Sequence, residues 1–153
     1  MATPYSSLYS LFLVANQDYK IDQLAGVSTA STPLMENYLE GFLMLAIPEF
    51  YNCQKNLDSR DDVLKTFSED LTLEEQKILV NWMTYHWFLR EVHDVTQINN
   101  LLSDTDFKMF SNANNLREKS AYANCLRETY MQRTVDYGIK NIPWENWASG
   151  EYV

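Results

Sequence analysis

The chain has 153 residues, enough for one hydrophobic core and too few for two comfortable ones. With 46% apolar and 22% charged residues it is not a disordered composition, and four Gly and four Pro leave little turn chemistry for a many-stranded sheet. A formal charge of −9 speaks against a surface that tracks nucleic-acid phosphates, because such binders need a net basic face to displace counterions; the charge reads first as a solubility device.

The opening stretch, MATPYSSLYSLFLVANQDYK, has no basic leader region, and Tyr9 and Ser10 interrupt its apolar run from Leu8 to Ala15, so it is a poor signal peptide. No run approaches the roughly 18 apolar residues that cross a bilayer. The expectation is a cytoplasmic protein with no membrane partner. Ser6 to Ala15 fits a short amphipathic helix, with Leu8, Leu11, Phe12 and Ala15 spaced by three and four. Asn16, Gln17 and Asp18 loosen the chain, and Gly26 to Thr32, GVSTAST, reads as a loop.

A second helix starts with Thr32 as its cap and Pro33 at the first helical position, where no amide is left unpaired. Met35, Tyr38, Leu39, Phe42, Leu43, Ala46 and Phe50 make one apolar face. Pro48 lies inside that pattern; it removes a hydrogen bond and clashes with the carbonyl of Met44, which predicts a kink or break. Asn56 to Asp62, NLDSRDD, reads as a charged connection. The third helix has the clearest start in the chain, a capping box of Thr72 and Glu75. From Leu73 onward, Ile78, Leu79, Trp82, Met83, Tyr85, Trp87, Phe88, Leu89 and Val92 leave almost no polar face, which predicts a central helix with Trp82 enclosed. The stripe runs on through Val95, Ile98 and Leu102, giving a helix of roughly 45 Å at 1.5 Å per residue.

Ser103 or Asp104 can cap a last helix. Its stripe is Phe107, Phe110, Ala113, Leu116, Ala123, Leu126, Tyr130 and Tyr137, ending near Gly138. The tail after Ile142, PWENWASGEYV, holds Trp144, Trp147 and Tyr152 and is too short for a core of its own. Either it folds back on its parent or its rings anchor in a neighbour, since buried Trp and Tyr dominate interface energetics. The predicted fold is thus all-α, a helical bundle over residues 1–142 and an extended C-terminal arm over 143–153. The bundle has a short N-terminal helix, long central and C-terminal helices, and no sheet larger than a hairpin.

Chemistry-bearing patterns are scarce. His86 and His93 are seven apart on one helix, whereas zinc ligands on a helix sit four apart, so packing or a hydrogen bond is the default for both. Asp58, Asp61 and Asp62 lack the central Gly and final Glu of a calcium loop, and Asp104 and Asp106 do no better. Cys53 and Cys125 form no ligand spacing; two buried free thiols is the first reading, with a disulfide left open. No phosphate loop, nucleophile elbow or dinucleotide fingerprint occurs. The expectation is a protein without catalysis, metal or cofactor that holds other chains together.

Leu71 to Phe88, LTLEEQKILVNWMTYHWF, followed by Asp104 to Ile139, DTDFKMFSNANNLREKSAYANCLRETYMQRTVDYGI, resembles a pattern in small proteins encoded among the head and neck genes of tailed bacteriophages. The shared features are the dLt-x-E helix start, a Trp-rich helix, the DFK-x-(F/Y)-S-x-A-x-x-L opening of the last helix and the Tyr near its end. A Tyr-rich N-terminal segment and the patch Phe50 to Cys53 are also similar. The resemblance implies a head–tail adaptor, or connector: a ring, usually of twelve copies, between the portal protein and the tail or stopper protein. DNA would pass through its channel without specific binding. It further implies a place in the virion neck, assembled in the host cytoplasm, with the C-terminal arm, Trp144, Trp147 and Tyr152, docking on the portal. A tail-completion or stopper protein, or a small helical binding or regulatory protein acting on a host or phage partner, is the alternative.

Overall fold

The computed structural model of the protein describes residues 2–16, 32–101 and 106–142, with side chains described except at 32, 95–101 and 106–115. The chain is mostly helical. Four helices appear among these residues: α1 (Tyr5–Ala15), α2 (Thr32–Ala46), α3 (Leu73–Leu101) and α4 (Asp106–Lys140). Three two-residue strands, β1 (Thr3–Pro4), β2 (Arg60–Asp61) and β3 (Thr66–Phe67), form an antiparallel sheet in the order β1-β3-β2. Thr3 pairs with Phe67 and Pro4 with Thr66, while Arg60 and Asp61 face Phe67 and Thr66 from the other side. This sheet exceeds the predicted limit of a hairpin. Strands of two residues carry no alternation to read, and one of them, β2, lies inside the charged connection 56–62.

Helix α1 starts one residue before the predicted Ser6, after Pro4, and buries Tyr5, Leu8, Tyr9 and Phe12. Ala15, expected on that face, is exposed, and Tyr9 holds the place instead. The end of α1 is tied down by Asn16, whose side-chain amide donates to the Phe12 carbonyl at 3.1 Å and to Thr84 Oγ1 of α3 at 2.9 Å. Helix α2 buries Leu39, Phe42, Leu43 and Ala46, with Met35 and Tyr38 half-buried. It stops at Ala46, where the chain tightens into a 3₁₀ turn (Ile47–Glu49) around Pro48, as a missing amide and a ring against the preceding turn require.

Helix α3 packs against α1, α2 and α4. Its capping box is fully made: the Thr72 amide donates to Glu75 Oε2 at 2.7 Å and the Glu75 amide to Thr72 Oγ1 at 3.3 Å. Ile78, Leu79, Val80, Trp82, Met83 and Val92 are buried, and Trp82 is 1% exposed. The face is not apolar-buried all round, however. Leu73 is 57% exposed, and Tyr85, Trp87, Phe88 and Leu89 are half-buried. Helix α4 runs two residues past Gly138 and buries Ala123, Thr134 and Tyr137, with Leu116, Leu126 and Tyr130 half-buried. The predicted cap at Ser103 or Asp104, the loop residues 26–31 and the side chains of Val95, Ile98, Leu102, Phe107, Phe110 and Ala113 lie outside the described residues.

Candidate functional site

The strongest polar construction lies where the start of α3 meets the end of α4. Glu75, 2% exposed, accepts at Oε2 from the Thr72 amide and hydroxyl, and at Oε1 from the Tyr137 hydroxyl at 2.6 Å. Burying a carboxylate is costly unless its lone pairs are filled; here a capping interaction and a long-range hydroxyl fill them together. Burial pushes the Tyr137 phenol above its usual value of 10, and donation to Glu75 adds to that. Further along the seam, Trp82 Nε1 donates to Thr134 Oγ1 at 3.0 Å, and the Thr134 hydroxyl donates to the Tyr130 carbonyl at 2.9 Å. The indole N–H of the buried Trp82 is thereby satisfied.

The segment after the 3₁₀ turn closes this seam from the other side. Phe50 packs edge-on against Tyr137, ring centroids 5.1 Å apart. Asn52 donates to the Thr134 carbonyl at 2.6 Å, and Gln54 to the Asn141 carbonyl at 3.0 Å. Gly138 makes the approach of Asn52 feasible, because a Cβ there would run into the Asn52 amide. Sequence reading placed Gly138 as a helix end; its role is instead the close contact.

Two surfaces stand out, the first of them beside the seam. An open groove of about 500 Å³ runs between α3 and α4, lined by Leu73, Glu74, Lys77, Ile78, Asn81, Arg133, Asp136, Tyr137 and Lys140. Lys140 pairs with Glu74 across it at 2.6 Å. The second surface is the turn between β2 and β3. Asp61 Oδ1 accepts from the amides of Val63 and Leu64, both at 2.9 Å, which folds the chain back over two residues. Lys65 sits in the left-handed region with φ 55°. The result is a tip that presents Val63 at 89% and Leu64 at 70% exposure. Neither was singled out in the sequence, although two aliphatics inside the charged run LDSRDDVLK were a visible anomaly.

The chemical candidates fall into structural positions. Asp61 builds the turn, while Asp58 and Asp62 pair with Arg60 at 3.5 and 3.2 Å. Among the described residues no cluster of three His, Cys, Asp or Glu could hold a metal ion. His86 Nε2 lies 3.7 Å from Glu49 Oε1, and His93 is exposed. The cysteines correct the reading of two buried thiols: both are free, but Cys53 is half-buried and Cys125 exposed. Burial pushes the Cys53 thiol up to about 11, which leaves it protonated and a poor nucleophile at neutral pH. Asp104 and the arm residues Trp144, Trp147 and Tyr152 lie outside the described residues, as does the side chain of Asp106. No described helix is long and apolar enough to cross a membrane. Compared with models of known protein families, with curated proteins and with solved structures, the chain matches none.

Proposed function

We propose that the protein is a structural virion protein of a tailed bacteriophage: a head–tail adaptor whose copies, twelve in number, form a ring between portal and tail. The observation that carries this reading is that the two stretches bearing the phage resemblance are the ones that fasten to each other. The helix start at Thr72 and Glu75, the Trp at 82 and the Tyr at 137 meet in one hydrogen-bonded seam. Residues of a shared pattern that build a scaffold, rather than a cleft with activated groups, support a structural role. On this reading the protein acts without catalysis, cofactor or metal.

On this reading the four helices form one bundle over residues 1–142, and residues 143–153 are an arm whose Trp144, Trp147 and Tyr152 dock on the portal. Twelve copies at −9 each carry −108, and an acidic channel wall repels phosphate, so DNA slides through without specific binding. The ring occupies the neck of the virion after assembly in the host cytoplasm.

Truncation after Ile142 tests the reading, with melting temperature and mass measured on the same protein, alone and with purified portal rings. The full chain is expected to form rings with the portal, and the truncated chain to melt unchanged but not assemble. Lowered melting with assembly intact would reject the arm as the docking element. A full chain that forms no ring under either condition would reject the adaptor itself.

A further inference from the structure

We propose that the β2–β3 turn of one copy docks in the α3–α4 groove of the next, Val63 and Leu64 entering against Leu73, Ile78 and Tyr137. This assignment rests on the ring reading, and it names the contact that would join neighbouring subunits.

The turn is built to be presented. Large aliphatics are uncommon at the tip of a tight turn, where small polar residues are the rule. Here two of them stand out into solvent while everything behind them is fixed. Asp61 holds both their amides, and the Lys65 carbonyl accepts the Tyr5 amide at 2.8 Å. The Lys65 ammonium pairs with Glu40 of α2, and the Tyr5 hydroxyl reaches Asp62 at 3.2 Å. A left-handed lysine persists because these neighbours determine it. A tip ordered before docking loses little conformational freedom on binding.

The groove offers what such a tip needs. Its volume of about 500 Å³ lies within the roughly 300–1,000 Å³ that holds small organic ligands, ample for two aliphatic side chains. Ile78 and Tyr137 give it an apolar floor, and Leu73, 57% exposed, an apolar wall. Its rim carries Lys77, Arg133 and Lys140 against Glu74 and Asp136, a cationic excess in a strongly acidic chain. Lys140 is engaged by Glu74, whereas Lys77 and Arg133 form no ion pair with a described residue. The tip has the opposite balance: Asp58, Asp61 and Asp62 are exposed beside Arg60 and a Lys65 already paired with Glu40. Apolar meets apolar and an acidic collar meets a basic rim, which steers the encounter and fixes its orientation.

The occupant is a second copy because one chain carries both halves of the match; a foreign partner would explain only one of them. Tip and groove are different surfaces, so the contact is heterologous and repeats head to tail, closing into a ring when the rotation permits.

Two variants made in a Cys125→Ser background test it, one carrying Val63→Cys and the other Asn81→Cys. Mixed and oxidised at the concentration where the full chain assembles, they are expected to give a 63–81 disulfide dimer, at least ten-fold above either variant alone. A dominant 63–63 dimer, or no cross-link, overturns the contact. Val63→Asp with Leu64→Asp is the second arm. Both sites are exposed, so circular dichroism and melting should stay unchanged while the assembly midpoint rises at least ten-fold; an unchanged midpoint also overturns it. Rings that persist without the 63–81 link would remove this contact and leave the adaptor reading intact. The link formed in short open chains that never close would keep the contact and remove the ring.

Discussion

The two halves of α4 carry one continuous amphipathic stripe, yet the protein covers them very differently. From Tyr130 to Lys140 the helix is locked: Thr134 and Tyr137 are buried, each hydrogen-bonded to α3, and Phe50 and Asn52 close over them from the opposite side. From Leu116 to Thr129 only Ala123 is buried; Tyr122 meets Phe88 of α3 edge-on at 5.2 Å but is itself 55% exposed. Both halves lean on α3. What differs among the described residues is the second neighbour, the segment after the 3₁₀ turn, which covers the C-terminal half. An apolar stripe announces that a helix will be covered, whereas the extent of cover is set by elements distant in sequence.

The largest blow to the locked half is Trp82→Ala. The indole is 1% exposed, so its removal leaves a cavity beneath Tyr130 and Tyr85, whose rings lie edge-on to it at 6.4 and 5.8 Å. Truncating a buried Trp costs about 3–5 kcal/mol, and Thr134 additionally loses a donor. Urea titration should show the midpoint falling with an unchanged slope. A midpoint close to wild type would mean that the seam adds little and that the two halves of α4 are alike after all.

What could be read from the sequence was what lies close together in it. Thr72 and Glu75 are three apart, and their mutual caps are present as expected. Pro48 ends α2 by a clash within one turn of helix, and Trp82 announced its burial through its own apolar surroundings. The seam itself was hidden. Asn52 and Thr134 are 82 positions apart, Asn16 and Thr84 are 68 apart, and no periodicity links a loop amide to a helix carbonyl. Thr134, fully buried, looks in sequence like a polar interruption of the stripe; only the indole facing it explains why it lies inside. The candidate surfaces divide the same way. The anomaly at Val63 and Leu64 was visible, but the groove joins Lys77 to Arg133 from different helices and could not be seen before folding.

A finer test of the closing segment uses Gly138. Ala is favoured over Gly inside a helix by about 1 kcal/mol, so Gly138→Ala should stabilise α4 by that amount if nothing else intervened. The added Cβ, however, displaces the Asn52 amide from the Thr134 carbonyl, and a hydrogen bond of this kind contributes about 1 kcal/mol. The two effects oppose and nearly cancel. In an Asn52→Ala background the clash and the hydrogen bond are both gone, and Gly138→Ala should then stabilise by about 1 kcal/mol. A double-mutant cycle with no coupling would show that Asn52 does not press on α4, and that the cover over its C-terminal half is looser than the contact implies.

The smallest effect belongs to His86, which marks where the cover from the 3₁₀ turn reaches α3. Its side chain is 15% exposed, and Nε2 has no hydrogen-bond partner, with Glu49 Oε1 at 3.7 Å beyond hydrogen-bond reach. Burial lowers its pKa below 6.5, against the opposing pull of the Glu49 charge and a backbone hydrogen bond at Leu45. The fold therefore prefers the neutral ring, while the unfolded chain takes up a proton near 6.5. Stability from this group is complete above pH 6.5 and is lost as the pH falls from there through the depressed folded value. His86→Gln should flatten that acid-side slope. Glu49→Gln removes a nearby charge that favours the imidazolium, so it should steepen the slope. Chemical denaturation at several values between pH 5 and 8 measures both. If Glu49→Gln flattened the slope instead, the ion pair would outweigh burial, and His86 would stand at an open edge of the seam and not beneath its cover.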